Sequence, residues 1–380
     1  MIESGRGNPF AGIIKEWPLL LVPVTLCLLG ILTMHPFDAG SPTLAPRQLT
    51  WLLISVTVFL VCASLDMRFI RRTTVIISGY VVTVLLLGLL LLTADSIMGA
   101  KSWFTFGGFS FQPADLGKLA FIALMAKYFS RRHMAIGDFR HILLSGVYAA
   151  PVILLILVEP DLGTAAIFSA VWLGMVLVSG IPKKHLAVVA VAGIILASGL
   201  WFVGLHDYQR ARIMAFVNPA ADIRGSGYNA YQATVAAGSG ELWGKGIGYG
   251  TQSKLRFLPE YETDFIFAAF AEEWGFVGVT LVLVLYGLLL SRLLSISRRA
   301  ATNFDAFFTV GVLLLLSAHL FIHAGINLGL LPVTGTTIPF MSYGGSHLLA
   351  EFAALGIVVS LARAGRSVPR DRAMAEYEGS

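Results

Sequence analysis

Residues Val75–Thr93 read VIISGYVVTVLLLGLLLLT, nineteen consecutive positions without a charged side chain. At about 1.5 Å of rise per residue a helix of this length covers about 28 Å, close to the hydrocarbon thickness of a bilayer. Backbone amides inside hydrocarbon must be satisfied within their own segment, so the run is predicted to cross a membrane as a helix. Nine further runs share this character: 18–34, 49–65, 114–129, 142–158, 162–180, 186–204, 265–290, 306–323 and 346–362. Segment 114–129 is the most polar, since it holds Asp115, Lys118 and Lys127. The fold class that follows is an all-α polytopic membrane protein of about ten transmembrane helices.

Composition agrees. Of 380 residues 56% are hydrophobic and 13% are charged, against about 25% charged in soluble domains. Mean hydropathy is +0.78. These values exclude a soluble α/β or all-β fold, a disordered chain and a fibrous one. Cys27 and Cys62 both lie in apolar runs and read as small core residues, without a disulfide or zinc role. The net charge of +5 is assigned to cytoplasmic loops and not to nucleic-acid binding. The first apolar run has no small-residue cleavage site after it and is expected to be retained. No composition shift divides the chain, so residues 1–380 are expected to form one domain with one long polar loop, 205–264.

Basic residues set the expected orientation. One set of alternate loops holds seventeen Lys and Arg: Arg6, Lys15, Arg68, Arg71, Arg72, Arg131, Arg132, Arg140, Lys183, Lys184, Arg292, Arg298, Arg299, Arg363, Arg366, Arg370 and Arg372. The short loops of the other set hold Arg47 and Lys101. Both termini are therefore expected in the cytoplasm, and loop 205–264, between the seventh and eighth helices, outside.

Ionisable residues are costly in hydrocarbon and mark a partner or a function. Asp115 and Lys118 share one helix face near its outer end, which suits either a self-neutralising pair or a binding site. Glu159-Pro160-Asp161-Leu162-Gly163-Thr164 reads as a tight outer turn with two carboxylates. The long loop contributes Asp207, Arg210, Arg212, Gln232, Ser239, Lys245, Lys254 and Arg256. Its Gly-rich stretch 238–250 fails the nucleotide-loop pattern, because Gly246 follows Lys245 where Ser or Thr is required. Free N–H groups there would still suit an anion such as pyrophosphate. Asp264 stands where the chain re-enters the membrane, either as a helix cap or as a carboxylate at the lipid–water boundary. Glu272 and Glu273 lie deeper. His319, His323, His347 and Glu351 suit a metal tetrad or, more commonly, interhelical hydrogen bonding.

Four segments together resemble the signatures of the SEDS proteins (shape, elongation, division and sporulation). They are Glu159-Pro-Asp-Leu-Gly-Thr-Ala, Gly238-Ser-Gly, Phe257-Leu-Pro-Glu-Tyr-Glu-Thr-Asp264-Phe-Ile-Phe-Ala and Ser342-Tyr-Gly-Gly-Ser. The resemblance spans nearly the whole chain. Gln252-Ser-Lys-Leu-Arg-Phe-Leu-Pro is similar to the RodA branch, and Asn327-Leu-Gly-Leu-Leu-Pro leans toward FtsW. It implies a peptidoglycan glycosyltransferase of the bacterial inner membrane that polymerises lipid II on its outer face. The implied work is RodA-like elongation, with FtsW-like division as the alternative. It also implies a class B penicillin-binding protein as partner, together with other elongation or division machinery. Asp264 matches the essential aspartate. Asp115 and Lys118 match a buried acid–lysine pair whose acid is usually Glu, so the carboxylate here is one methylene shorter. Glu159, Asp161, Arg210, Gln232, Ser239, Lys245 and Ser342 are carried over as substrate-cavity residues. No cofactor is fixed, and a divalent cation, Mg or Mn, is the one considered. The competing expectations are a lipid-precursor flippase or other transporter, which should concentrate charges at the bilayer midplane, and a purely recruiting partner protein.

Overall fold

The structure is a computed structural model that describes residues 15–37, 44–93, 102–106, 109–131, 139–218, 226–255 and 257–366. Arg6, Lys101, Arg132, Arg256, Arg370 and Arg372, named above for orientation or the outer loop, lie outside the described residues.

Long helices stand at all ten apolar runs. They are α1 (Pro18–Met34), α2 (Leu44–Ser64), α3 (Thr73–Thr93), α4 (Pro113–Ser130), α5 (Phe139–Val158), α6 (Leu162–Val178), α7 (Lys183–Gly199), α11 (Ile266–Arg298), α12 (Asn303–Asn327) and α13 (Gly345–Arg366). The remaining described α-helices are short and belong to the loop after α7: α8 (Asp207–Val217), α9 (Ser226–Ser239) and α10 (Thr251–Lys254). A small antiparallel hairpin, β1 (Phe104–Phe106) and β2 (Phe109–Phe111), precedes α4, with Phe104 opposite Phe111. Seven of the long helices are long and apolar enough to span a membrane, and α1 and α6 are shorter apolar helices of 17 residues.

Helix ends run past the apolar limits. Helix α12 starts at Asn303, where Thr302 caps it by accepting the N–H of Asp305 at 3.2 Å. Hydropathy marks only the part that suits hydrocarbon, whereas hydrogen bonding extends a helix into its polar ends.

The packing is graded. Helix α13 lies against α2, α12 against α4, α6 and α11, and α3 against α4. Most of α13 and half of α12 is buried, while α7 has no buried residue. Polar α4 is therefore wrapped by protein, and this is how a segment with three charges sits in an apolar chain.

Helix α11 is broken. Gly275 has φ +65° and ψ −168°, a backbone region open essentially to glycine alone. The break frees the carbonyls of Glu272 and Glu273 and the amides of Phe276 and Val277. The Gly-rich loop pairs all four: Lys245 N and Gly246 N donate to Glu272 O and Glu273 O at 2.9 and 3.0 Å. Phe276 N and Val277 N donate to Glu241 O and Leu242 O at 2.9 and 3.1 Å. The approach is so close that a Cβ at Gly244 would lie 2.1 Å from Glu273 O. The glycines of 238–250 thus serve backbone docking onto a helix break.

Candidate active site

Asp264 ends a turn bracketed by two buried side chains, Leu258 and Phe265. Both pack into a small apolar cluster with Ala233 and Ala236 of α9, Ala268 and Ala269 of α11, and Ile326 of α12. Glu260, at φ +52°, turns the chain, and its carbonyl accepts the amides of Thr263, Asp264 and Phe265. Buried Asn327 locks the result. Its Nδ2 donates to Asp264 O at 2.9 Å, and its Oδ1 accepts from Ala268 N at 3.0 Å. From the other side Ser342 Oγ donates to Thr263 O at 2.8 Å, and Tyr343 N donates to Glu262 O at 2.8 Å. Gln48 of α2 holds that strut, donating to Ser342 O at 3.1 Å and accepting from Gly344 N at 3.2 Å.

The Asp264 carboxylate forms no salt bridge among the described residues and faces Gly335, whose Cβ position lies 3.5 Å from Oδ2. Burial first, and then the Glu260 carboxylate, push its pKa up to about 7, while Arg212 and the Thr263 hydroxyl oppose the rise. Asp161 is close enough to add to the rise.

Asp161 caps α6. Its Oδ1 accepts from Thr164 N at 2.9 Å and its Oδ2 from Gln112 Nε2 at 3.2 Å. Burial holds its carboxyl above the usual range. Glu159 is buried, its Oε1 has no hydrogen-bond partner among the described residues, and burial followed by Asp161 raises it to about 8. The first turn of α6 packs on Thr334–Thr336, with a Cβ at Gly163 only 2.8 Å from Thr334 O. The turn at 159–161, segment 334–336 and Asp264 therefore converge. A small pocket beside them is lined by Pro160, Tyr208, Gln209, Arg212, Pro332 and Thr334.

Asp115 and Lys118 form a buried ion pair at 3.0 Å. The second carboxylate oxygen accepts from Ser346 Oγ at 2.6 Å, and His347 Nδ1 stands 3.5 Å from the first. His347 in turn lies 2.9 Å from Glu351 and packs against His319, with ring centroids 4.8 Å apart and the rings tilted by 48°. His319 and His323 point Nδ1 at the carbonyls of Thr337 and Thr336, at 3.0 and 2.7 Å. The Ser346–Asp115 hydrogen bond ties α13 to α4, and the two α12 histidines hold the 336–337 segment that leads to α13. Among the described residues no group of three or more His, Cys, Asp or Glu side chains is placed to hold a metal ion.

The other expected residues have different surroundings. Arg210 donates to the carbonyls of Trp201 and Phe202 at 3.0 and 3.1 Å. Ser239 donates to Ala236 O at 2.9 Å, and Gln232 is half-buried on α9. Lys245 is paired with buried Glu272 at 2.7 Å. Glu272 also accepts the amides of Thr251 and Gln252, and Glu273 accepts that of Gly248. Loop N–H groups that suited an anion are thus engaged within the protein, those of Lys245 and Gly246 by backbone carbonyls and that of Gly248 by the Glu273 carboxylate. Among the described residues, none of Gln232, Ser239 and Lys245 hydrogen-bonds to the Asp264 turn.

Sequence reasoning passed over Gln48, Gln112, Asn327 and Ser346 as site residues; it named both Arg210 and Arg212 in the outer loop and carried over Arg210 alone, whereas Arg212 lines the pocket beside the 159–161 turn. Gln48 and Asn327 could have been found as amides next to or within apolar runs, where an unpaired amide is costly. Arg210 and Arg212 cannot be separated without knowing how α8 is rotated.

Comparison with known proteins follows this geometry. A family model described as cell cycle protein (FtsW, RodA, SpoVE) matches residues 17–367. The peptidoglycan glycosyltransferase MrdB of Escherichia coli K12 is 34% identical over 348 residues, spanning 90% of this chain and 92% of that protein. A chain of a peptidoglycan synthase complex that coordinates polymerization and crosslinking superposes with TM-score 0.78 at 31% identity, over 93% of this chain and 98% of that one. The rod shape determining protein RodA of Thermus thermophilus superposes with TM-score 0.67 at 30% identity, over 91% of this chain and 96% of that one.

Proposed function

Since the chain belongs to the cell cycle protein family of FtsW, RodA and SpoVE, we propose that it polymerises lipid II at the outer membrane face, with Asp264 as general base. It is an integral bacterial membrane protein and a peptidoglycan glycosyltransferase. Its partner is a class B penicillin-binding protein, which cross-links the strands it makes. The likeness to RodA favours a role in elongation.

The observation that carries the catalytic reading is the environment of Asp264. An ordinary N-cap carboxylate is bound to amides and stays strongly acidic. Among the described residues this one forms no salt bridge; it is half-buried and has its pKa raised to about 7, where a base both exists ionised and accepts a proton readily. In the reaction the acceptor sugar's hydroxyl oxygen attacks the donor's anomeric carbon. Asp264 takes the hydroxyl proton, and the bond from that carbon to the lipid pyrophosphate breaks. The leaving group carries away the electron pair and needs positive charge nearby. Lys118 and Lys245 are held by Asp115 and Glu272. Arg212 has no salt bridge among the described residues, lies over the Tyr208 ring at 5.7 Å, and lines the pocket beside the 159–161 turn. Arg212 is therefore the cation assigned to the pyrophosphate.

The test is polymerisation of labelled lipid II by the purified chain with its penicillin-binding partner, with and without chelator. Asp264→Asn should give no polymer, and Arg212→Ala should raise KM for lipid II while the partner still binds. Normal polymer from Asp264→Asn overturns the base assignment. Loss of polymer on chelation assigns a divalent cation to the reaction.

A further inference from the structure

Far from Asp264, at the opposite end of α11, the bundle holds a second polar cavity of about 250 Å³. By volume it would hold about eight waters at roughly 30 Å³ each, so a phosphate-sized group fits. Its lining includes Lys15, Arg292, Ser295, Ile296 and Arg299, with Ala300, Ala301, Leu361 and Ala362. The two carboxylates at its edge are already engaged: Glu16 by Arg292 at 2.7 Å and Asp305 by Arg71 at 2.7 Å. Lys15 and Arg299 form no salt bridge among the described residues, and both are exposed. The Ser295 side chain is half-buried there and can donate. Among the described residues the cavity thus has two cations without a salt bridge, a hydroxyl and apolar side chains.

We infer that this cavity is a binding site for a phosphate-bearing anion, and that its occupant is the headgroup of an anionic phospholipid. The two cations supply attraction for the phosphate. Ala300, Ala301 and Ala362, which line it and are not buried, supply apolar contact for the glycerol and first methylenes, a surface that a free phosphate would leave unused. The site lies at a helix end of a membrane protein, where headgroups lie. Its chemistry is independent of the Asp264 assignment, and only the leaflet it faces, the cytoplasmic one, rests on the proposed orientation.

The experiment uses the full chain in detergent and follows lipid retention by native mass spectrometry, comparing phosphatidylglycerol with phosphatidylcholine. A second arm measures thermal stabilisation by inorganic phosphate against chloride at matched ionic strength. Wild type should retain phosphatidylglycerol preferentially. The double variant K15Q/R299Q should weaken that retention on the order of thirtyfold, the factor two near-surface cations supply. The charge-matched K184Q/R298Q, at positions that do not line the cavity, should behave as wild type. If K15Q/R299Q fails to fold, R299Q alone should weaken retention about fivefold. Stabilisation by phosphate without lipid retention keeps the anion site but assigns it a soluble ligand. Equal losses in both double variants, or neither lipid preference nor phosphate stabilisation, overturn the site. None of these readouts requires polymerisation, so failure here leaves Asp264 untouched and failure of Asp264 leaves this site untouched.

Discussion

At the residue scale, everything turns on the protonation and placement of one carboxylate. Burial and then Glu260 raise Asp264 from the usual 3.8 to about 7. A base must be ionised to accept a proton, so kcat/KM should rise as pH increases through about 7 and level off above it. Glu260→Gln removes a like charge, so this limb should move to lower pH, a shift that a pH–rate profile would show. An unmoved limb would mean that Glu260 does not act on the reacting group. Placement rests on Asn327, which bonds Asp264 O, His323 O and Ala268 N at once. Asn327→Ala leaves buried groups unpaired, at a cost of about 1–3 kcal/mol each. It should lower Tm and depress kcat more than it raises KM.

At the element scale, the broken helix α11 explains why one loop is so rich in glycine. Gly275→Ala forces a side chain into a backbone region that costs about 1–3 kcal/mol. Its Cβ would also lie 2.3 Å from Gly244 N. Thermal unfolding in detergent should show the loss, and Gly244→Ala should produce a similar one from the facing side. Glu272→Gln should release Lys245 and loosen the loop, readable as faster proteolysis between α9 and α10. Persistence of wild-type protection would place the loop's stability in its backbone pairing alone. The glycines were visible in the sequence, but their purpose was not. A Gly-rich stretch beside a lysine looks alike whether its amides hold a phosphate or a helix break, and only the partner across the gap distinguishes them.

At the scale of the whole molecule, orientation is the property to test. Impermeant thiol reagents should label Trp243→Cys in intact cells and Lys184→Cys only after permeabilisation. Both side chains are well exposed, and native Cys27 is buried while Cys62 is half-buried. The reverse pattern would put Asp264 inside and remove the outer-face reading of the reaction. Packing also accounts for the strangest helix. Helix α4 carries Asp115, Lys118 and Lys127 because α3, α6 and α12 surround it, so its charges meet partners and not lipid.

Helices at the ten apolar runs were legible in the sequence because a long apolar run must satisfy its backbone amides within itself, a requirement local to each segment. Asp264, Asp115–Lys118 and the 159–161 turn were legible because ionisable groups are rare in such a chain and stand out individually. Which of them share a site depends on contacts between residues as far apart as Asp115 and Ser346, or Gln48 and Ser342. Those contacts depend on helix rotation and on interhelical hydrogen bonds, and hydropathy carries no information about either. The placement of Arg212 rather than Arg210 on the pocket beside the 159–161 turn, the brace from Asn327 and Gln48, and the use of the glycine loop to mend α11 were therefore decided only in the tertiary structure.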